Sequence, residues 1–125
     1  MTENEISRIL VNIFMKVHSK LGPGLLESVY ESAICYELFK ANMDYQRQRG
    51  IQVIYDEVQM DIGFRADVVV DNKVIIEIKS VEIMSPVFFK TLLTYLRLSD
   101  KKLGLLVNFN IELIKDGITR VANNL

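Results

Sequence analysis

Arg65-Ala66-Asp67-Val68-Val69-Val70-Asp71-Asn72-Lys73-Val74-Ile75-Ile76-Glu77-Ile78-Lys79 consists of two β-branched runs joined by a short polar stretch. Runs of this kind form strands, and the polar residues between them mark a hairpin turn. Ionisable groups nevertheless stand at Asp67, Glu77 and Lys79, where a buried sheet should have none. Alternation puts Glu77 and Lys79, two residues apart, on one face of their strand. A three-residue loop at 71–73 opposes Val70 to Val74 and hence Asp67 to Glu77; a two-residue turn would oppose Asp67 to Ile76. The three-residue loop is expected. Two carboxylates about 4 Å apart repel by roughly 4 kcal/mol at an effective dielectric of about 20, so the pair calls for a cation. A divalent metal with oxygen ligands fits, with Lys79 beside it. The plainer alternative is an ordinary cross-strand ion-pair face with Asp67 ending a strand, because Glu-x-Lys is short and common.

The rest of the chain bounds what such a site could serve. Its 125 residues fit a single domain, 1–125, with one real core. A net charge of −1 provides no global positive field, so binding to nucleic acid must rely on a local patch. Cys35 is the only cysteine, which excludes an internal disulfide and a cysteine-based zinc site. Its apolar neighbours Ala33, Ile34 and Leu38 place it in a helix core. No apolar run approaches the ~20 residues a membrane helix needs, and the start lacks a basic stretch followed by an apolar one. A cytoplasmic protein without a membrane partner is expected.

Thr2-Glu3-Asn4-Glu5 is a capping-box pattern, followed by Ile6, Ile9, Leu10, Ile13, Phe14, Val17 and Leu21 at helical spacing. This predicts a helix from about Glu3 to Lys20, stopped by Gly22-Pro23-Gly24. A second helix is expected from about Leu25 to Ala41, with Leu26, Val29, Tyr30, Ala33, Ile34 and Leu38 on its apolar side. The period then becomes two: Ile51, Val53 and Tyr55 alternate with polar residues, as do Val58, Met60, Ile62 and Phe64. These read as strands of a meander leading into the hairpin. Pro86 opens a third helix to about Leu98, with Val87, Thr91, Leu92, Tyr95 and Leu96 inward. Leu103 to Phe109 is a short apolar strand, expected to lie parallel to the one at Val74 after a crossover. The tail, Ile118 to Leu125, is weakly specified. The class is α/β, a mixed central sheet flanked by helices.

On the second helix Glu27, Tyr30 and Glu31 share a surface at i, i+3 and i+4. Locally, Glu27 reads as a first-turn acid favoured by the helix dipole and Glu31 as a solvated surface charge. His18, the only histidine, fits capping or packing at the end of the first helix. Arg65 can share the face of Asp67, as a phosphate contact or in a surface salt bridge. Arg47 with Arg49, and Lys101 with Lys102, could track a nucleic-acid backbone or be solvated charge.

Taken in order, Leu21-Gly22-Pro23-Gly24-Leu25-Leu26-Glu27-Ser28-Val29-Tyr30-Glu31, Gly63-Phe64-Arg65-Ala66-Asp67, Glu77-Ile78-Lys79, Leu92-Leu93-Thr94-Tyr95-Leu96 and Gly104-Leu105-Leu106-Val107-Asn108-Phe109 closely resemble the GxxExxY family. That family lies within the PD-(D/E)XK nuclease-like superfamily, and the likeness spans nearly the whole chain. It implies a restriction-endonuclease-like core with a Mg2+ or Mn2+ site. By matching position, Asp67 is the principal metal ligand, Glu77 the second ligand, Glu27 the helix acid and Lys79 the catalytic lysine. The backbone carbonyl of Ile78 could add a ligand. Arg65, Tyr30, Thr91 and Tyr95 are the expected substrate contacts. One departure stands out. Where the family carries a polar Glu-Ala-Gln before Leu-Leu-Thr-Tyr-Leu, this chain has Phe89-Lys90-Thr91, and Thr91 is too short for a glutamine's contact. Phe88 and Phe89 are either core residues or a partner surface.

The resemblance implies a metal-dependent nuclease acting on nucleic acid, DNA before RNA. The alternative is a catalytically inactive binding or assembly module that kept the fold and most of the acids; a third reading keeps the metal site for another substrate. A small enzyme without an appended recognition domain often needs a second subunit to grip a duplex, so a homodimer is expected.

Overall fold

Thr2 accepts a hydrogen bond from the Glu5 amide while the Glu5 carboxylate accepts one from the Thr2 amide, closing the capping box that starts α1 (Glu3–Leu21). The computed structural model describes all residues, 1–125. Gly22 and Gly24 both take positive φ, 71° and 96°, which ends α1 and turns the chain. Leu26 is extended, so α2 (Glu27–Lys40) starts two residues later than the apolar pattern indicated. Tyr30 locks this turn: its hydroxyl donates to the Gly22 carbonyl at 2.6 Å and accepts from the Leu25 amide at 3.1 Å.

The strands β1 (Tyr45–Tyr55), β2 (Val58–Val70), β3 (Val74–Lys79), β4 (Leu103–Asn108) and β5 (Ile118–Ala122) form one sheet in chain order. β3 and β4 are parallel, with α3 (Pro86–Leu98) between them; the other pairs are antiparallel. Val70 pairs with Val74, so the hairpin loop has the expected three residues. Asp71 and Asn72 are both left-handed, and Lys73 donates its amide to the Val70 carbonyl at 2.9 Å.

One face of the sheet packs Val68, Val70, Ile76 and Ile78 against α1 and α2; the other packs Ala66, Val69, Ile75 and Leu106 against Leu92 and Leu96 of α3. Several expected inward residues face out instead: Leu21 of α1, Leu26 before α2, Val29 of α2 and Val87 of α3 are all exposed. Each lies at or just outside the first or last turn of its helix. The alternating pattern of residues 51–64 does form strands, but only Ile51 and Phe64 at its base reach the core. Ile54, Tyr55, Val58, Met60 and Ile62 remain exposed on a two-stranded arm.

The tail is more ordered than its pattern indicated. A 3-10 turn, Ile114–Gly117, reverses the chain, and β5 pairs with β4 from Val107↔Ile118 to Leu103↔Ala122. The turn has room only for glycine: a Cβ on Gly117 would lie 2.4 Å from the Asn108 carbonyl oxygen. Gly117→Ala is therefore expected to destabilise the fold by about 1–3 kcal/mol. Urea unfolding checks this, as a lowered midpoint at unchanged slope.

Candidate active site

Where β2 and β3 part, side chains replace the backbone ladder. The last paired residues are Val68 and Ile76, so Asp67 and Glu77 come next, opposite each other. The Asp67 amide donates to Glu77 Oε1 at 3.3 Å, and the Ile78 amide donates to Asp67 Oδ2 at 2.8 Å. The odd loop length thus brings the two carboxylates together. Ile78 directs its N–H into the gap, and its carbonyl leaves an extended strand on the same side.

The pair is electrostatically loaded. Burial, then the charge of Asp67, pushes the Glu77 carboxyl up to about 8, and burial likewise raises Asp67. Glu77 is 9% exposed. At neutral pH the contact holds a proton in the absence of a cation. These are hard oxygen donors, and with the Ile78 carbonyl they fit a small divalent ion that keeps several of its waters. They do not form a larger cage, since no three His, Cys, Asp or Glu side chains converge anywhere in the structure.

Lys79 lies at the end of the same strand, half-buried, its ammonium 4.3 Å from the centre of the Phe88 ring. It makes no ion pair with either carboxylate. Glu77, Lys79, Phe88, Thr91, Leu92, Tyr95 and Leu106 line a cavity of about 30 Å³, room for one water. Phe88 and Phe89 both pack on the α3-side core. Tyr95 stacks on Phe64 at 3.9 Å, and its hydroxyl is pushed up by burial and then by the charges of Glu77 and Asp67. Arg65 is exposed, donating to the Gln48 carbonyl at 3.4 Å. Thr91 and Tyr95 thus line the cavity beside Glu77, whereas Arg65, two residues before Asp67, bonds to the β1 backbone.

Tyr30 does not. It is fully buried, stacked on Phe109 at 4.4 Å, with its hydroxyl used within the Gly22–Leu25 turn, so it has no surface to offer a substrate. Glu27 is not gathered with the carboxylate pair. Its Oε2 accepts from the Ser80 amide at 3.1 Å, while Ser80 Oγ donates to the Leu25 carbonyl at 2.6 Å. The turn before α2 is thereby clipped to the residue after Lys79.

The acid of α2 that reaches toward Asp67 is Glu31, which the local pattern assigned to solvent. It is 8% exposed, accepts from Arg47 at 2.9 and 3.2 Å, and accepts from Gln48 Nε2 at 2.7 Å. Its charge contributes to raising Asp67. The one available signal was its i+4 spacing from Glu27. Asn108, also unanticipated, is buried and ties the loop after β3 to β4 through Val81.

The basic pairs are mostly committed elsewhere. Arg47 holds Glu31; Arg49 and the buried Lys101 share Asn72 Oδ1 at 2.6 and 3.1 Å. A hollow of about 650 Å³ is lined by Asp44, Tyr45, Gln46, Arg47, Arg49, Val69 and Asn72 and contains none of Asp67, Glu77 and Lys79. His18 packs beside Phe109 with Nε2 2.8 Å from the Ile111 carbonyl. Burial pushes the Cys35 thiol up to about 11, so it stays protonated and inert.

Comparison with protein families matches residues 4–121 to a family of the PD-(D/E)XK nuclease superfamily. The chain belongs to that superfamily, and its mixed five-stranded sheet flanked by three helices is the restriction-endonuclease-like fold. No curated protein and no solved structure gives a significant match. No helix is long and apolar enough to cross a membrane.

The raised Glu77 carboxyl has a consequence for stability. Between about pH 4.5 and 8 the native chain holds a proton that the unfolded chain releases, so stability is full below this window and falls as pH rises through it. Without metal, the parent is expected to lose on the order of a few kcal/mol between pH 5 and 8.5. Glu77→Gln should flatten that dependence. Urea midpoints of both proteins across the range provide the check, and matching profiles would show Glu77 ionised throughout.

Proposed function

We propose that this chain is a divalent-metal-dependent nuclease of the GxxExxY branch, hydrolysing phosphodiester bonds in nucleic acid, with DNA as the first substrate to test. The observation that carries the reading is the contact of Asp67 with Glu77 in the gap between β2 and β3, with Lys79 on the same strand. Asp67, Glu77 and the Ile78 carbonyl would hold Mg2+ or Mn2+. Bound there, the ion supplies Lewis-acid polarisation of the phosphodiester and a water of lowered pKa.

The chain's own groups divide the remaining work. Lys79 leaves the Phe88 ring to meet the charge that develops on the phosphoryl oxygens, where a fixed cation is worth most. Tyr95 and exposed Arg65 contact the flanking phosphates. Glu27 acts at the rim, fixing Ser80 and so the end of the strand that carries Lys79. Tyr30, whose hydroxyl holds the turn, takes no part in substrate contact. A cytoplasmic homodimer would give this small domain, 1–125, a second surface with which to grip a duplex.

A catalytically silent binding module is the second reading. It is favoured by the cavity beside Lys79, which admits a single water under Phe88 and Thr91 rather than a phosphate.

Cleavage of a mixed DNA and RNA panel in Mg2+ or Mn2+ separates the two. The nuclease reading expects ion-dependent cleavage that falls by at least about 100-fold in Lys79→Ala while that variant stays folded. No cleavage by the parent above the Lys79→Ala background would support the module. Activity gained by Thr91→Gln would then identify a degraded catalytic site.

A further inference from the structure

Gln48 sits in the middle of β1 yet has left-handed backbone, φ 48°, where a residue with a side chain is strained. The β1–β2 register runs from Arg47↔Val68 to Arg49↔Ala66 and omits the intervening Gln48 and Asp67. The β2–β3 register likewise stops just short of Asp67. Asp67 is therefore outside the ladder on both sides, and the strained residue is the one facing it. The Gln48 side chain fills the interval. Its Nε2 donates to Glu31 Oε1 at 2.7 Å and approaches Asp67 Oδ1 at 3.4 Å. Glu31 is in turn fixed by two bonds from Arg47. Asp67 Oδ2 already accepts from Ile78. With an amide donor at each oxygen, the Asp67 carboxylate has one orientation.

We infer that Gln48 is a positioning residue for the metal site, holding Asp67 in its ligating orientation through an amide that bridges Glu31 and Asp67. The amide also keeps two carboxylates apart without adding charge. Outer partners of metal ligands act in this way, and their loss weakens metal affinity while leaving the ligands in place. The strain is the cost of the arrangement and marks it as more than packing, because an exposed glutamine could relax if nothing required this conformation. The inference rests on the metal reading above.

Gln48→Gly removes the amide and relieves the strain together, so function and stability should move in opposite directions. Calorimetric titration with Mn2+ is expected to show affinity weakened about tenfold in Gln48→Gly and in Gln48→Ala. The melting temperature of metal-free Gln48→Gly should equal or exceed that of the parent, with Gln48→Ala below Gln48→Gly because alanine keeps the strained φ. A residue that only supports the fold would lower melting temperature and affinity together in the glycine variant, which overturns the inference. Asp67→Asn in the same titration separates the two levels. If Asp67→Asn loses Mn2+ while both Gln48 variants keep parental affinity, the Gln48 assignment fails alone; if the parent does not bind Mn2+, or Asp67→Asn binds it as well as the parent, the metal reading fails and takes this one with it.

Discussion

The contact between Asp67 and Glu77 is the constraint around which the rest of the molecule is arranged. Two carboxylates occupy a gap where backbone groups of β2 and β3 would otherwise pair, and they accept the hydrogen bonds that the missing ladder leaves open. This makes the gap tolerable without metal, since the amides of Asp67 and Ile78 are both satisfied. It also keeps a charge conflict inside the protein, relieved by a proton on the pair. A cation would relieve the same conflict and displace that proton.

The glycine-rich turn before α2 serves this site at one remove. Tyr30 holds Gly22 and Leu25; Leu25 and Glu27 hold Ser80; Ser80 follows Lys79. The chain of contacts gives physical content to the spacing of Gly24, Glu27 and Tyr30: a turn, an acid at the first position of a helix, and a buried hydroxyl one helical turn later. Of the two side chains, the acid is at the surface and the tyrosine is buried.

What the amino-acid pattern revealed was local or set by parity. The hairpin register follows from loop length, and the boundaries of α3 from Pro86 and the run behind it, so both were legible. β5 was not, because an edge strand of mixed composition takes its definition from β4 and from a turn only Gly117 can pass. Glu31 escaped for a similar reason: whether a helix carboxylate is solvated depends on Arg47 and Gln48, distant in sequence and delivered by a different strand. Gln48 left no trace at all, since backbone sign at a non-glycine residue is decided by its neighbours across the sheet.

The arm of residues 51–64 has one further consequence. Past Ile51 and Phe64, which anchor its base, its two strands run out to a reversal made by Asp56 and Glu57 with positive φ, and five large apolar side chains on it face water. Such ribbons have little free energy of their own. Local opening of the arm therefore requires far less than global unfolding, and its amides should exchange with solvent well before those of β3 and β4. The protein is thus built with a gradient of persistence along β2: the same strand is firmly held where it carries Asp67 and loosely held at its start, Val58, so the tip can rearrange without disturbing the carboxylates.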